Sequence, residues 1–375
     1  MRMRSYHIVL IHSFLGMVLL LGDRVDGQDL SSVIARPKNI ILMIGDGMGT
    51  SQLSAAYYYG DGEPAFDRFR YIGLTRTSSR THVVTQSSAA ATALATGQKT
   101  YNTAIGVGLD SLPIPNIVEV VSEKGFLTGV VATSSVTHAT PAGFYAHQVD
   151  RYMEHEIGMD LVRSEIDFFA GGGIRHFIDT TGTDYFKANG IQVNFSKLKK
   201  IRNPEPGDRY GFLLADDRLQ TMGEGRGDFL SRASLIAAEF LSSGDGGFFL
   251  MIEGSQIDWA CHGNQVEYMI EEVNDFEDAV DAVLDWAEEN GETLVLVTAD
   301  HETGGFTLGA AGSYTGGTDY STIVPTFATT NHSAALVPVF AFGPGSEIFT
   351  GVYENTAIFH KMVSLLPECS ISEFD

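Results

Sequence analysis

The sequence predicts an α/β fold: a single large domain with a mainly parallel central sheet flanked by helices on both faces. Three observations lead there. Short apolar runs rich in β-branched residues alternate with segments whose apolar residues recur every three or four positions, the pattern of doubly buried strands alternating with amphipathic helices. The 375 residues are 44% hydrophobic and 19% charged, which is globular composition. No repeat or low-complexity linker divides the chain after its first residues, and the 41 glycines cluster at the ends of apolar runs, where turns are needed.

The first residues stand apart. MRMRSYH carries two arginines, IVLIHSFLGMVLLLG is mostly apolar, and GDRVDGQ follows with Val25 and Gly27 as small residues. A basic start, an apolar stretch too short to span a bilayer comfortably and a small-residue site make a secretory signal over residues 1–27, cleaved after Gly27. An uncleaved anchor is the alternative. Cleavage leaves residues 28–375 as the folded domain, periplasmic or secreted and free of the membrane.

Along that domain each element has a local reason. KNIILMIGDG is a short apolar run ending in Asp46. VTQSSAAATALATG, from Val84 to Gly97, sets Gln86, Ser87 and Ser88 before an alanine-rich segment of high helix propensity. IVEVVSEKG reads as a helix leading into TGVVATSSVTHAT, a strand that delivers His138 and Thr140. GFFLMIEGSQIDWACH is a strand ending in Glu253, with Asp258, Trp259 and His262 just beyond. YMIEEVNDFEDAVDAVLDWAEEN has helical spacing, and TLVLVTADH is a strand ending in Asp300 and His301. His332 stands in TTNHSAAL, just before the apolar run LVPVFAFG.

Ligands of open α/β sheets bind beyond the carboxyl ends of the strands, so these acids converge although they are far apart in sequence. One strand-end aspartate has a plain explanation, as the cap of the next helix. Three strand ends closing in acids, two with histidine at or near the end, are harder to explain that way. Like charges gathered at one edge repel unless a cation sits among them, so a metal is expected. Histidine nitrogen with carboxylate oxygen (Asp258, His262, Asp300, His301 and His332) suits Zn2+. The all-oxygen group Asp46, Glu253 and Thr140 suits Mg2+. Formal net charge is −23, which makes nucleic acid and anionic membrane poor partners and otherwise reads as a solvated acidic surface. Only two cysteines occur, Cys261 and Cys369, which excludes a disulfide-stapled scaffold.

A hydroxyl at a helix N-terminus is commonly an N-cap. The same place offers backbone N–H groups and the positive end of the helix dipole to an anion. Beside a divalent metal, a serine hydroxyl there also loses its proton readily and becomes a nucleophile.

Six blocks of the chain, in order and spread over nearly all of it beyond the signal, resemble the alkaline phosphatase family. They are IGDGMG from Ile44, VTQSSAAATALATGQKTYN from Val84, and THATPA from Thr137 with AHQVDR ending at Arg151. EGSQIDWACH from Glu253, TADHETGG from Thr298 and NHS from Asn331 complete the set. The resemblance implies hydrolysis of phosphate monoesters to alcohol and inorganic phosphate through a phosphoserine, with two Zn2+ and one Mg2+ per site, in a homodimer. By position it implies that Asp258, His262 and His332 hold the first zinc, and Asp46, Asp300 and His301 the second. Asp46, Thr140 and Glu253 then bind magnesium, Ser87 is the nucleophile, and Arg151 clamps two phosphate oxygens with its planar fork. Four carboxylates against three divalent ions and one guanidinium leave such a site at a net +3 inside a protein of −23; without metals it stands at −3 and repels phosphate.

Four positions depart from the family pattern. Gln86 replaces the aspartate that commonly orients the arginine, and can accept a hydrogen bond without contributing charge. Ser88 stands where alanine is usual. His138 and Trp259 stand where some branches carry Asp and Lys, a pair that resembles the marine and cold-environment bacterial branch and implies looser magnesium binding. The rival readings are a phosphodiesterase or related hydrolase on the same scaffold, and a catalytically silent zinc- or phosphate-binding protein. A sulfatase signature is absent around both cysteines. The short stretch between His301 and His332 leaves no room for a large inserted interface loop.

Overall fold

The computed structural model describes residues 34–177 and 185–367, and within them the four runs predicted as central strands lie side by side. The predicted signal, residues 1–27, and Cys369 fall outside the described residues. In chain order the strands are β1 (Asn39–Gly45), β2 (Tyr71–Arg76), β3 (Leu127–Ser135), β4 (Phe168–Gly172), β5 (Ile191–Asn194), β6 (Arg209–Leu213) and β7 (Phe248–Gly254). There follow β8 (Thr293–Thr298), β9 (Glu302–Thr303), β10 (Thr307–Ser313), β11 (Gly317–Thr326), β12 (His332–Ser333), β13 (Val337–Phe342) and β14 (Gly351–Glu354). Ten of these make one sheet in the order β14-β2-β13-β8-β1-β7-β3-β4-β6-β5. Every pairing in it is parallel except those of β13, which runs against both β2 and β8.

Every residue of β1, β7 and β8 is buried, which explains why these runs are continuously apolar rather than alternating. Side chains alternate between two packed faces. Ile41 and Met43 of β1 join a core with helices α1 (Thr50–Tyr59), α7 (Phe229–Leu241), α8 (Gln256–His262) and α9 (Val266–Asn290). The opposite face is covered by α2 (Ser87–Thr96), α3 (Ile117–Ser122), α4 (Ala139–Ala142) and α10 (Thr356–Leu365). Among the predicted helices, local chemistry marks one start and one end. Asn116 and Glu119 close a reciprocal capping box on α3, and α2 ends at Gly97, whose φ of +72° a glycine adopts without strain.

The register fixes the rim. Ile44 of β1 pairs with Glu253 of β7 and with Thr298 of β8. Asp46 and Asp300, each two residues past that level, therefore leave their strands at the same height. β13 enters where its neighbours leave, so a residue just before it reaches the same rim as residues just after the others; His332 comes from that side. Outside the sheet, the stretch between His301 and His332 forms an exposed antiparallel ribbon, β10–β11, with Tyr314 at 97% exposure. No described helix is long and apolar enough to cross a membrane.

Candidate metal centre

Beyond β1 the chain turns through Gly47, whose φ is +73°. A Cβ there would meet Asp258 Cα and Thr303 Oγ1 at 2.9 Å, so IGDGMG is the glycine-rich turn that lets two backbones close on the site. Gly47 N donates to Asp300 Oδ1 at 3.1 Å. Asp46 caps nothing: α1 begins at Thr50 with Gly49 as its N-cap and no side-chain cap. Nor does Ser87 cap α2; it is the first helical residue, after Gln86.

Three groups of ligand atoms form, each within 4.8 Å: Asp258 with His262 and His332, Asp46 with Asp300 and His301, and Asp46 with His138 and Glu253. The first two are the sets expected for the two zincs. In the third, Thr140 Oγ1 donates to Asp46 Oδ2 at 3.2 Å, so the expected oxygen ligand is present, with His138 beside it. Ser87 Oγ lies 3.3 Å from His301 Nε2 and is 2% exposed. Ser88 is fully buried and its hydroxyl has no partner.

The donor geometry fits cations. His262 Nδ1 is 2.6 Å from the Thr330 carbonyl and His332 Nδ1 is 2.8 Å from that of Thr85. Both Nδ1 atoms therefore carry protons that donate outward, and both Nε2 lone pairs turn inward. Those two Nε2 atoms face each other at 3.0 Å, a contact of two lone pairs unless a proton or metal sits between them. Buried Asp46 Oδ1 and Glu253 Oε1 have no hydrogen-bond partner, an arrangement that costs free energy unless something positive arrives.

The acidities say the same. Burial, then the charges of Asp300, Asp258 and Glu253, pushes the Asp46 carboxyl well above the usual range. Burial lifts Glu253 to about 7. Asp300 is the exception: burial opposes its charge, but the adjacent His301 holds it at about 2. Burial depresses His138 to about 3 and, with His301 beside it, His332 to about 4. Neutral imidazoles are what metal ligation requires, which suits His332; at His301 burial acts the same way, but the Asp300 carboxylate outweighs it and raises the imidazole.

Arg151 lines the same cavity of about 420 Å³ as Ser87, Asp258, His262 and His332. Its partner differs from the one its family resemblance implies. Arg151 Nη2 sits 3.0 Å from His138 Nε2, while Gln86 Oε1 is buried with no partner. Trp259 packs edge-on against the His138 ring at 5.5 Å. Sequence reading missed the supporting residues. Thr303 Oγ1 donates to Asp258 Oδ1 at 2.5 Å, Ser134 Oγ donates to Glu253 Oε2 at 3.3 Å, and Gln52 Nε2 donates to Glu302 Oε1 at 2.7 Å. Thr303 and Glu302 lie inside TADHETGG, the signal that could have flagged them. Cys261 is buried and free, next to Gln52.

A mostly parallel α/β sheet whose rim gathers carboxylates and imidazoles around a serine and an arginine defines a metal-dependent hydrolase. The sequence profile of the family "Alkaline phosphatase" matches residues 37–210 and 213–323, and this chain belongs to that family. Alkaline phosphatase 3 of Bacillus subtilis (strain 168) is 33% identical over 88% of this chain and 89% of its own length. The alkaline phosphatase of Escherichia coli (strain K12) is 28% identical over 88% and 86%. The solved alkaline phosphatase of the Antarctic bacterium TAB5 superposes with a TM-score of 0.86 at 49% identity, covering 89% of this chain and 98% of that one. A histidine-to-glutamate variant of that enzyme has been solved with Mg bound in its M3 site. The chain is thus a metal-dependent phosphomonoester hydrolase.

Proposed function

We propose that Ser87 is the nucleophile of this hydrolysis, that Arg151 holds two non-bridging phosphoryl oxygens, and that the three ligand groups hold two Zn2+ and one Mg2+. The observation that carries this reading is the placement of Ser87 Oγ against His301 within a rim where three ligand groups meet and two share Asp46. Asp258, His262 and His332 would hold one zinc, Asp46, Asp300 and His301 the other, and Asp46, Glu253 and Thr140 the magnesium. When bound, these ions supply Lewis acidity that lowers the pKa of the serine hydroxyl and of water and neutralises charge on the phosphoryl oxygens.

Ser87 Oγ gives up its proton and attacks phosphorus as the bond to the alcohol oxygen breaks; that oxygen takes up a proton, the alcohol departs and phosphoserine remains. Water then enters from the side the alcohol vacated, the serine–phosphorus bond breaks and Ser87 regains its proton. Two inversions give net retention. Arg151 keeps the phosphoryl plane fixed through both. Ser87 lines the cavity and Ser88 does not, which supports Ser87 in the role.

The N-terminal sequence supports export to the periplasm or beyond after cleavage near Gly27. The reading includes a homodimer, with the exposed β10–β11 ribbon as a candidate contact, and no nucleic-acid partner, in keeping with the net charge of −23. The test is hydrolysis of an aryl phosphate, its matching diester and its matching sulfate, with and without zinc and magnesium. Only the monoester with metals is expected to turn over quickly, and Ser87→Ala is expected to lose more than about a thousandfold. Full activity in Ser87→Ala would move the role to Ser88.

A further inference from the structure

The cavity above Ser87 is larger than a phosphoryl group needs. Its volume, about 420 Å³, lies within the usual span of small-molecule sites, roughly 300–1,000 Å³. Besides the ligand and phosphate residues, its walls carry the apolar side chains of Val84, Tyr152 and Trp259 and the polar ones of Thr85, Asn102 and Asn331. Each of the apolar three follows or precedes the machinery closely: Tyr152 follows Arg151, Trp259 follows Asp258, and Val84 lies two residues before Gln86. Their distance from the reacting phosphorus is therefore set by residues that are themselves held in place. Arg151 N donates to the Thr103 carbonyl at 2.8 Å, and Trp259 is fixed edge-on against His138 at an interplanar angle of 87°.

The mouth leaves apolar side chains in water. Tyr152 is 74% exposed and Val84 38%. Nothing in the described fold covers Tyr152, and its backbone N–H is satisfied by Asp150. Arg151 is the one cation with a fixed positive charge among the lining residues, and the proposed chemistry commits it to the phosphoryl oxygens. Thr85, Asn102 and Asn331 also line the cavity and can hydrogen-bond; the aromatic and aliphatic surface open to an alcohol is that of Tyr152, Trp259 and Val84, which suits a rigid planar ring: it stacks on aromatic faces and loses little conformational freedom on binding.

Building on the phosphomonoesterase reading above, we propose that Tyr152, Trp259 and Val84 form a leaving-group subsite that selects phosphate monoesters of aromatic alcohols. Non-hydrolysable phosphonates isolate binding from chemistry. Inhibition constants of 1-naphthylmethylphosphonate and methylphosphonate are to be measured on the metal-loaded enzyme, beside inorganic phosphate. The naphthyl compound is expected to bind about tenfold more tightly than the methyl compound. Tyr152→Ala, at an exposed position where folding is not at stake, is expected to remove most of that preference and leave the constant for inorganic phosphate unchanged. Trp259→Leu is expected to act in the same direction. Equal constants for the two phosphonates, or a preference that survives both substitutions, would overturn the subsite while leaving the phosphatase reading intact. Failure of inorganic phosphate to bind at all would bring down both.

Discussion

Two groups of buried carboxylates in this molecule face one electrostatic problem and meet it differently. On α9, Glu272 and Asp275 have side chains 2% and 4% exposed, and the Arg226 side chain, 2% exposed, lies between them. Arg226 Nη2 donates to both, at 2.7 Å to Asp275, and Glu272 Oε1 also accepts from the Met222 backbone at 2.9 Å. At the sheet rim, Asp46, Glu253 and Asp300 are equally buried, yet three of their oxygens accept no hydrogen bond, and the positive group beside them is the titratable His301 next to Asp300. One cluster carries a fixed counter-charge in the chain; the other has only the His301 imidazole beside Asp300 and needs the rest from solution. Buried acids alone do not mark a site. Buried acids without a fixed internal cation do.

The contrast breaks most sharply under chelation. Stripping metal is expected to abolish hydrolysis, by more than about a thousandfold, and to abolish phosphate binding, because the rim reverts to excess negative charge. The Arg226 cluster has no part in this. Calorimetry that found phosphate binding unchanged in the metal-free protein would refute the rim's dependence on imported charge.

Next in size is the internal pair. Arg226→Met leaves two buried carboxylates without their cation, and the loss of stability is expected at about 3–5 kcal/mol. Denaturant titration reads it. The activity of the fraction that remains folded, with metals supplied, is expected to be unchanged, since Arg226 does not line the catalytic cavity. A proportional fall in kcat of folded enzyme would mean that the two clusters are coupled.

A smaller effect sharpens the comparison through pH. In the metal-free protein Glu253 titrates at about 7 against an ordinary 4.5, mainly through burial. Between those values the folded state holds a proton that the unfolded chain has released, so stability is fully present below about 4.5 and is lost as pH rises through about 7. Asp46, raised in the same direction, adds to the trend. The melting temperature of metal-free protein is expected to fall by several degrees from pH 5 to pH 8, and Glu253→Gln is expected to flatten that slope. Metals reverse the sign, because they bind the ionised carboxylates and compete with protons. The same Glu253→Gln change is expected to weaken magnesium by about ten- to a hundredfold.

Much of the rim was legible in sequence because strands are one-dimensional rulers. Asp46 and Asp300 each follow an apolar run by a residue or two, and a parallel register places such residues at one height without any knowledge of what lies between. His332 was read as a candidate zinc ligand just before an apolar run, but its place beside Asp258 and His262 came from the family resemblance, since it precedes its strand and only the reversed direction of β13 brings it to the same edge. The supporting hydrogen bonds were not legible. Thr303 to Asp258 spans 45 positions and Gln52 to Glu302 spans 250, and no periodicity encodes a partner at such a separation. The link between His138 and Arg151 was missed for another reason: the motif resemblance directed attention to Gln86, which is near Arg151 in the cavity wall but bonds to nothing through its amide oxygen.

Gln86→Asp gives the smallest expected change and the finest probe of the comparison. The residue lines the cavity with Arg151, so a carboxylate there would place inside the rim the kind of internal partner that Glu272 and Asp275 give Arg226. Arg151 would then be held from two sides, by His138 and by the new acid, and the cavity would lose one unit of positive charge. A single charge near a solvent-open site is worth about 1 kcal/mol, so the inhibition constant for inorganic phosphate is expected to rise about fivefold. Turnover is expected to rise with it if product release limits the rate, while metal content stays the same. A constant that does not move would mean that phosphate affinity at this rim is set by the metals alone. Tighter binding would mean that holding Arg151 in place outweighs its charge.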